Sequence, residues 1–377
     1  MTALARIPLS APDMGAAERA LLLETFDAGW VSSVGPVVER FEKTFAETVG
    51  LAHATAVASG TAALHLALAM LDLKPGDAVI APSLTFIGGV APILHAGATP
   101  IFVDVEPDSW NLDPTLIDAA LARAQADGLT VRAIVPADLY GQCCDIDAIR
   151  AVADAHGVPV ILDSAEEVGA SLNGRPAGQG AMAAAYSFNG NKIVTTGGGG
   201  MLASDDPALI GRARYLATAA RQPAIHYEHA EVGFNYRLGS LAAAVGLAQL
   251  GSLEARVARR RAIFDRYVAR LSDVPGLGFA PEAEGRRHTR WLSVILLDPA
   301  VAKATPEALR LTLEAAQIES RPVWKPMHLQ PVFRDAPMIG GGVAGRLYAT
   351  GLCLPSGSSL TDAEIDRVCD TVRAALL

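Results

Sequence analysis

The chain has 377 residues, 51% of them apolar and 19% charged, which supplies a large core and excludes a disordered or fibrous protein. Its net charge is −9 with no long basic run, so a nucleic-acid surface is not expected. The cysteines Cys143, Cys144, Cys353 and Cys369 form no C-x-x-C pair, no apolar run is long enough to span a membrane, and Met1 to Ser10 lacks a signal peptide's pattern; a cytoplasmic protein with reduced thiols is expected.

Apolar spacing predicts helices over residues 15–23 and 35–49, the second with Pro36 near its start. Ser59-Gly60-Thr61 opens a helical run over 62–71, and a turn at 74–77 leads to a short strand at 79–81. A helix over 87–95 precedes a strand over 100–105, and further strands fall at 133–136, 159–163, 183–188 and 200–203, with a helix over 146–156. Short apolar strands alternating with helices imply a mostly parallel sheet. After about residue 238 a long helical segment, 241–271, ends before Pro275-Gly276, followed by a strand at 291–297, a helix at 306–316 and a last helix from Thr361. The arrangement reads as a large sheet domain over 1–240 and a smaller C-terminal α/β domain over 241–377. Arg256, Arg259, Arg260 and Arg261 are read as a solvated helix face.

Only five lysines occur: Lys43, Lys74, Lys192, Lys303 and Lys325. Lys192 alone leaves an apolar strand, in Ala184-Ala185-Tyr186-Ser187-Phe188-Asn189-Gly190-Asn191-Lys192, and runs towards four glycines. A pocket lysine in that position suits Schiff-base chemistry, and a solvated loop lysine is the other reading. Asp163 closes the apolar strand Val160-Ile161-Leu162, where parallel sheets collect ligand sites. It can hold a pyridine nitrogen protonated or simply cap a helix. Ser59-Gly60-Thr61 at a helix start suits a phosphate, although many helices begin this way. Gly198 to Ala203 has the form G-x-G-x-x-A without the helix a dinucleotide site needs, and Gly340 to Gly342 reads as a loop. No cysteine cluster or H-E-x-x-H accompanies His226-Tyr227-Glu228-His229, so a surface turn and no metal are expected.

Three blocks together resemble the DegT/DnrJ/EryC1/StrS sugar aminotransferases, which have the aspartate-aminotransferase fold (fold type I). They are Ser187 to Lys192 with the following Thr-Thr-Gly-Gly-Gly-Gly, Asp163-Ser164-Ala165-Glu166-Glu167-Val168-Gly169, and Gly233-Phe234-Asn235-Tyr236-Arg237-Leu238. The resemblance runs from Pro8 to the last helix. It implies pyridoxal 5'-phosphate as cofactor, with Lys192 as its covalent partner and proton shuttle and Asp163 as partner of the ring nitrogen. Glu166 then lies near the ring hydroxyl, Phe86 stacks on the ring, and Gly60, Thr61, Ala62 and Ser187 serve the phosphate. Asn189 stands where many relatives have His, and Asn235 matches a phosphate ligand given by a neighbouring subunit, which implies a homodimer.

Pro12 to Gly15, Arg290 to Ser293, Arg321 to His328 and Gly351 to Gly357 are similar to the bacillosamine-pathway branch. That branch implies UDP-2-acetamido-2,6-dideoxy-hexos-4-ulose as substrate and L-glutamate as amino donor, with Arg321, Trp324, Lys325 and His328 near the sugar nucleotide. Trp30 to Gly35 instead looks like perosamine synthases, which use a GDP-linked 4-keto-6-deoxymannose. A related sugar dehydratase carries His where Lys192 stands, and a non-catalytic regulator would not need the lysine, the aspartate and the phosphate contacts together.

Overall fold

The computed structural model describes residues 5–377. One four-stranded sheet has the order Met338–Ile339, Thr99–Val103, Asp77–Pro82, Thr130–Ile134, all parallel. Parallel bridges Ile134 to Val160 and Ala137 to Asp163 continue it into a second, ordered Ile161–Asp163, Ala183–Ser187, Gly200–Ser204, His53–Val57. Only Gly200–Ser204 runs against the others, antiparallel to both of its neighbours. The sheet is therefore mostly parallel, and its strands are buried on both faces, as uninterrupted runs such as Val160-Ile161-Leu162 require. A smaller antiparallel sheet, Leu277–Phe279, Ser293–Leu297, Gly351–Leu354 and Arg321–Pro322, belongs to the C-terminal region. Two pairings cross the division expected near residue 240: Ile7 bridges Ile318, and Met338–Ile339 joins Phe102–Val103.

The helix Pro36–Val49 shows how local sequence places the later site. Val37, Val38, Phe41, Phe45 and Val49 recur on one face and are buried, while Gly50 ends the helix at φ 66°. Phe41 and Phe45 close on Phe188 at centroid distances of 5.3 and 5.2 Å. Burying each such ring contributes about 2 kcal/mol, so the neck of the loop carrying Lys192 is firmly anchored.

Several expectations change. The long helix over 241–271 is two helices, Ser240–Leu250 and Leu253–Leu271, parted at Gly251. The helix over 87–95 is a 3-10 turn, Ile87–Gly89, and a short helix, Ala91–His95, because paired glycines and Pro92 weaken a continuous ladder. The arginine run is no solvated face: Arg256 and Arg260 are buried. Arg260 donates to the carbonyls of Trp291 and Ser356 at 2.6 and 3.0 Å, and Arg256 to Glu18 at 3.0 Å. These acceptors offset the loss of water around the cations. The run Gly340 to Gly342 is a loop, as expected; Gly342 also caps the helix Val343–Thr350, and the amides of Gly342, Val343 and Ala344 all donate to the Asp104 carboxylate. Among the described residues no helix is long and apolar enough to cross a membrane.

Candidate active site

The strand ends Asp163 and Ser187, and Ser59 just beyond Val57, share one edge of the large sheet and open into a cavity of about 500 Å³. Its walls include Gly60, Thr61, Phe86, Asp163, Glu166, Ser187, Asn189, Lys192, Arg321 and Trp324. Sequence reading thus gathers most of its candidates in one place.

Lys192 sits on the loop that follows the strand Ala183–Ser187. Phe188 closes the loop's neck by bonding Gly199 and Thr196 through its backbone, each at 2.9 Å. Beside the lysine, the Asn191 carbonyl accepts from Ser10 Oγ and from the Trp291 indole, both at 2.8 Å. Lys192 Nζ lies 3.1 Å from Glu166 Oε1 and 3.9 Å from the centroid of the Trp291 ring.

Asp163 is buried, and its Oδ1 accepts from the Ala165 amide at 3.2 Å. Its other oxygen faces Gly89, where a Cβ would come within 2.3 Å. Glycine there leaves that carboxylate oxygen unobstructed on this side. Burial pushes Asp163 up to about 6, against the attraction of Lys192. Burial likewise raises Glu166 to about 7, although Lys192 and the Tyr140 amide favour its charged form. Behind them Glu167 is also raised well above the usual carboxylate range by burial; Oε1 accepts from Gly141 at 2.7 Å, and Oε2 has no partner among the described residues.

These raised values mean that the folded, cofactor-free chain holds protons more tightly than the unfolded chain. The stability they contribute is present near about pH 4 and is lost as pH rises through about 6 to 7. We therefore expect the melting temperature of cofactor-free protein to fall between about pH 5 and about pH 8. In Glu166→Gln that fall is shallower, because one of these raised carboxyl groups is gone. Parallel melting curves for the two proteins over this range would contradict the assignment.

The helix Gly60–Ala69 points its N-terminus at the cavity. Ser59 Oγ accepts the Ala62 amide at 3.0 Å, while the amides of Gly60 and Thr61 have no carbonyl within the helix to bond. They and the helix dipole suit a phosphate. Ala62 itself is buried and does not line the cavity. Phe86, 58% exposed, offers its ring to the cavity and packs at 5.7 Å against Trp324, which approaches Tyr140 at 5.0 Å.

Other candidates stand apart. Asn235 is exposed and lies outside the cavity, its backbone bridged to Thr218. Lys325 and His328 are half-buried and do not line it; His328 Nδ1 is bonded to Ser83 Oγ. Arg321 is on the rim, paired with Glu319 at 2.8 Å. His226 pairs with Glu228 at 2.8 Å on the surface. Trp291, Ser10, Gly88, Gly89 and Glu319 line the cavity although sequence reading gave them no part in it. Trp291 entered the sequence reading only as part of the similar stretch Arg290 to Ser293, which assigned it no role.

The signature of the DegT/DnrJ/EryC1/StrS aminotransferase family matches residues 12–373. The chain belongs to this family. EpsN of Bacillus subtilis, provisionally named a pyridoxal phosphate-dependent aminotransferase, is 44% identical over 371 residues, 97% of this chain and 95% of that one. The GDP-perosamine synthase of Caulobacter vibrioides is 39% identical, covering 98% of both chains. The crystal structure of the aminotransferase TlmJ from Streptoalloteichus hindustanus superposes with a TM-score of 0.90 at 31% identity, again over 98% of both chains. The sugar aminotransferase described above therefore has fold type I and uses pyridoxal phosphate.

Proposed function

We propose that this aminotransferase carries the amino group of L-glutamate to C4 of UDP-2-acetamido-2,6-dideoxy-hexos-4-ulose, in the cytoplasm and as a homodimer. The observation that carries the reading is the meeting, in one cavity, of Lys192, Asp163, Glu166, the exposed Phe86 ring and the open start of the helix Gly60–Ala69. The cavity volume lies in the range of small-molecule sites.

The residues fit pyridoxal phosphate by their chemistry. Gly60, Thr61 and Ser187 would hold the phosphate, with Ala62 tying the Ser59 cap in place and Asn235 reaching across from the neighbouring subunit. Phe86 would cover one face of the ring, Glu166 would meet its hydroxyl, and Asn189 would border it. Asp163 would pair with the ring nitrogen, a cationic partner that favours the charged carboxylate which burial alone opposes. The bound group supplies an electron sink for the pair left when the donor's α-proton departs.

Lys192 performs the proton work. Its neutral amine takes the α-proton of glutamate and later returns a proton at the sugar's C4, so that 2-oxoglutarate and the 4-amino sugar leave in equal amounts. Glu166 Oε1, 3.1 Å from Nζ, would steady the amine between these transfers. Arg321 and Trp324 at the rim, with Lys325 and His328 behind them, would take the sugar nucleotide.

A second reading has the same chemistry on GDP-4-keto-6-deoxymannose. It is favoured by the similarity to a GDP-perosamine synthase and by the exposed Trp30, Val31 and Val34 in the segment that looks like those enzymes. Side-by-side assays with both keto sugars and glutamate separate the two. We expect 2-oxoglutarate release with the UDP sugar to exceed that with the GDP sugar at least about tenfold, a difference of roughly 1.4 kcal/mol at the transition state. The reverse preference would replace the first reading with the second, and turnover of neither would end both.

A further inference from the structure

Trp291 belongs to a segment whose backbone is held in an uncommon shape. Arg290, just before it, has φ 56°, a conformation that side chains disfavour and that persists only where surroundings enforce it. The enforcing contacts come from several directions. The Arg290 amide donates to His288 Nδ1 at 3.0 Å, and its guanidinium lies 3.7 Å from the centroid of the Phe264 ring. The Thr289 amide donates to the Gly141 carbonyl at 2.8 Å. Gly141, at φ 108°, lies so close that a Cβ there would come within 2.9 Å of the Trp291 amide. Buried Arg260 donates to the Trp291 carbonyl. The outcome is one orientation of the indole: its N–H is fixed on the Asn191 carbonyl, and its face lies under Lys192 Nζ.

We propose that Trp291 is a positioning residue for Lys192, whose ring holds the ammonium that forms when Nζ takes up a proton. The proposal rests on the reading of Lys192 as the cofactor's lysine. An aromatic face attracts a cation and does much less for a neutral amine. The ring thus favours the protonated side of the lysine's cycle, while Glu166 Oε1 meets the same nitrogen from another direction.

Removing the ring should move two measurements in opposite directions. In Trp291→Met, kcat falls about tenfold with KM for glutamate within about twofold, and the isotope effect with α-deuterated glutamate rises. At about pH 7, Lys192 of the cofactor-free protein reacts with an amine-specific label about tenfold faster, read from the mass of its peptide. Trp291→Phe keeps a ring and stays within about threefold of the parent in both measurements. A structural defect alone would not speed the labelling while leaving the ring-bearing variant intact. Labelling of Trp291→Met at the parent rate, an unchanged kcat, or equal impairment of the Phe and Met variants overturns the proposal. Should Trp291→Met fail to fold, the Phe variant decides alone, and a deviation beyond about threefold counts against the ring. Cofactor capture at Lys192 is scored separately by borohydride reduction of the parent, so failure of the lysine assignment is told apart from failure of Trp291.

Discussion

Lys192→Ala should lose turnover by more than about ten-thousandfold, because the nucleophile and the proton carrier vanish together. The variant should still fold. Glu166, left without its cation, is already raised to about 7 by burial and becomes neutral more readily once Lys192 is gone, while it keeps the Tyr140 amide as donor. The loop neck does not depend on the amine either, since Phe188 remains packed on Phe41 and Phe45. A steady-state assay with glutamate and keto sugar, alongside circular dichroism, checks both statements. Activity within about a hundredfold of the parent in a folded Lys192→Ala protein would remove the lysine from the centre of the chemistry.

Asp163→Asn should lower kcat by about a hundred- to a thousandfold, the range seen when one preorganised charge partner is removed from a developing charge. The amide preserves the side chain's shape and can still accept from Ala165, so the site's geometry is retained. What it cannot do is hold a cationic ring nitrogen, and the electron sink weakens. Capture of the cofactor on Lys192 needs only the amine and should survive. The discriminating measurement is exchange of the glutamate α-proton with heavy water, which slows in step with kcat. Exchange at the parent rate would mean that Asp163 serves only as a cap for the turn at Ala165.

The parts of the site carried by strand ends were legible in the sequence. An apolar run ending in Asp163, and another ending in Ser187 before the glycine-rich loop of Lys192, place those residues at one sheet edge by topology alone. The helix start at Ser59 was legible for the same reason. Contacts made by distant segments were not. The arginines of the helix Leu253–Leu271 look solvated in sequence because their partners, the carbonyls of Trp291 and Ser356 and the carboxylate of Glu18, come from elsewhere in the chain. Asp104 caps a helix more than two hundred residues away, which no local pattern announces. Gly89 gives no signal either, since its value lies in the space it leaves beside Asp163. Trp291 appeared in sequence only as one residue of a similar stretch, and its place beneath Lys192 emerges when Gly141 and Arg260 fix the strained segment around it.

The most direct measurement is borohydride reduction of the protein loaded with pyridoxal phosphate, followed by mass analysis of its peptides. One phosphopyridoxyl adduct is expected, on Lys192. An adduct on Lys43, Lys74, Lys303 or Lys325 with Lys192 unmodified, or no adduct at all, would contradict it.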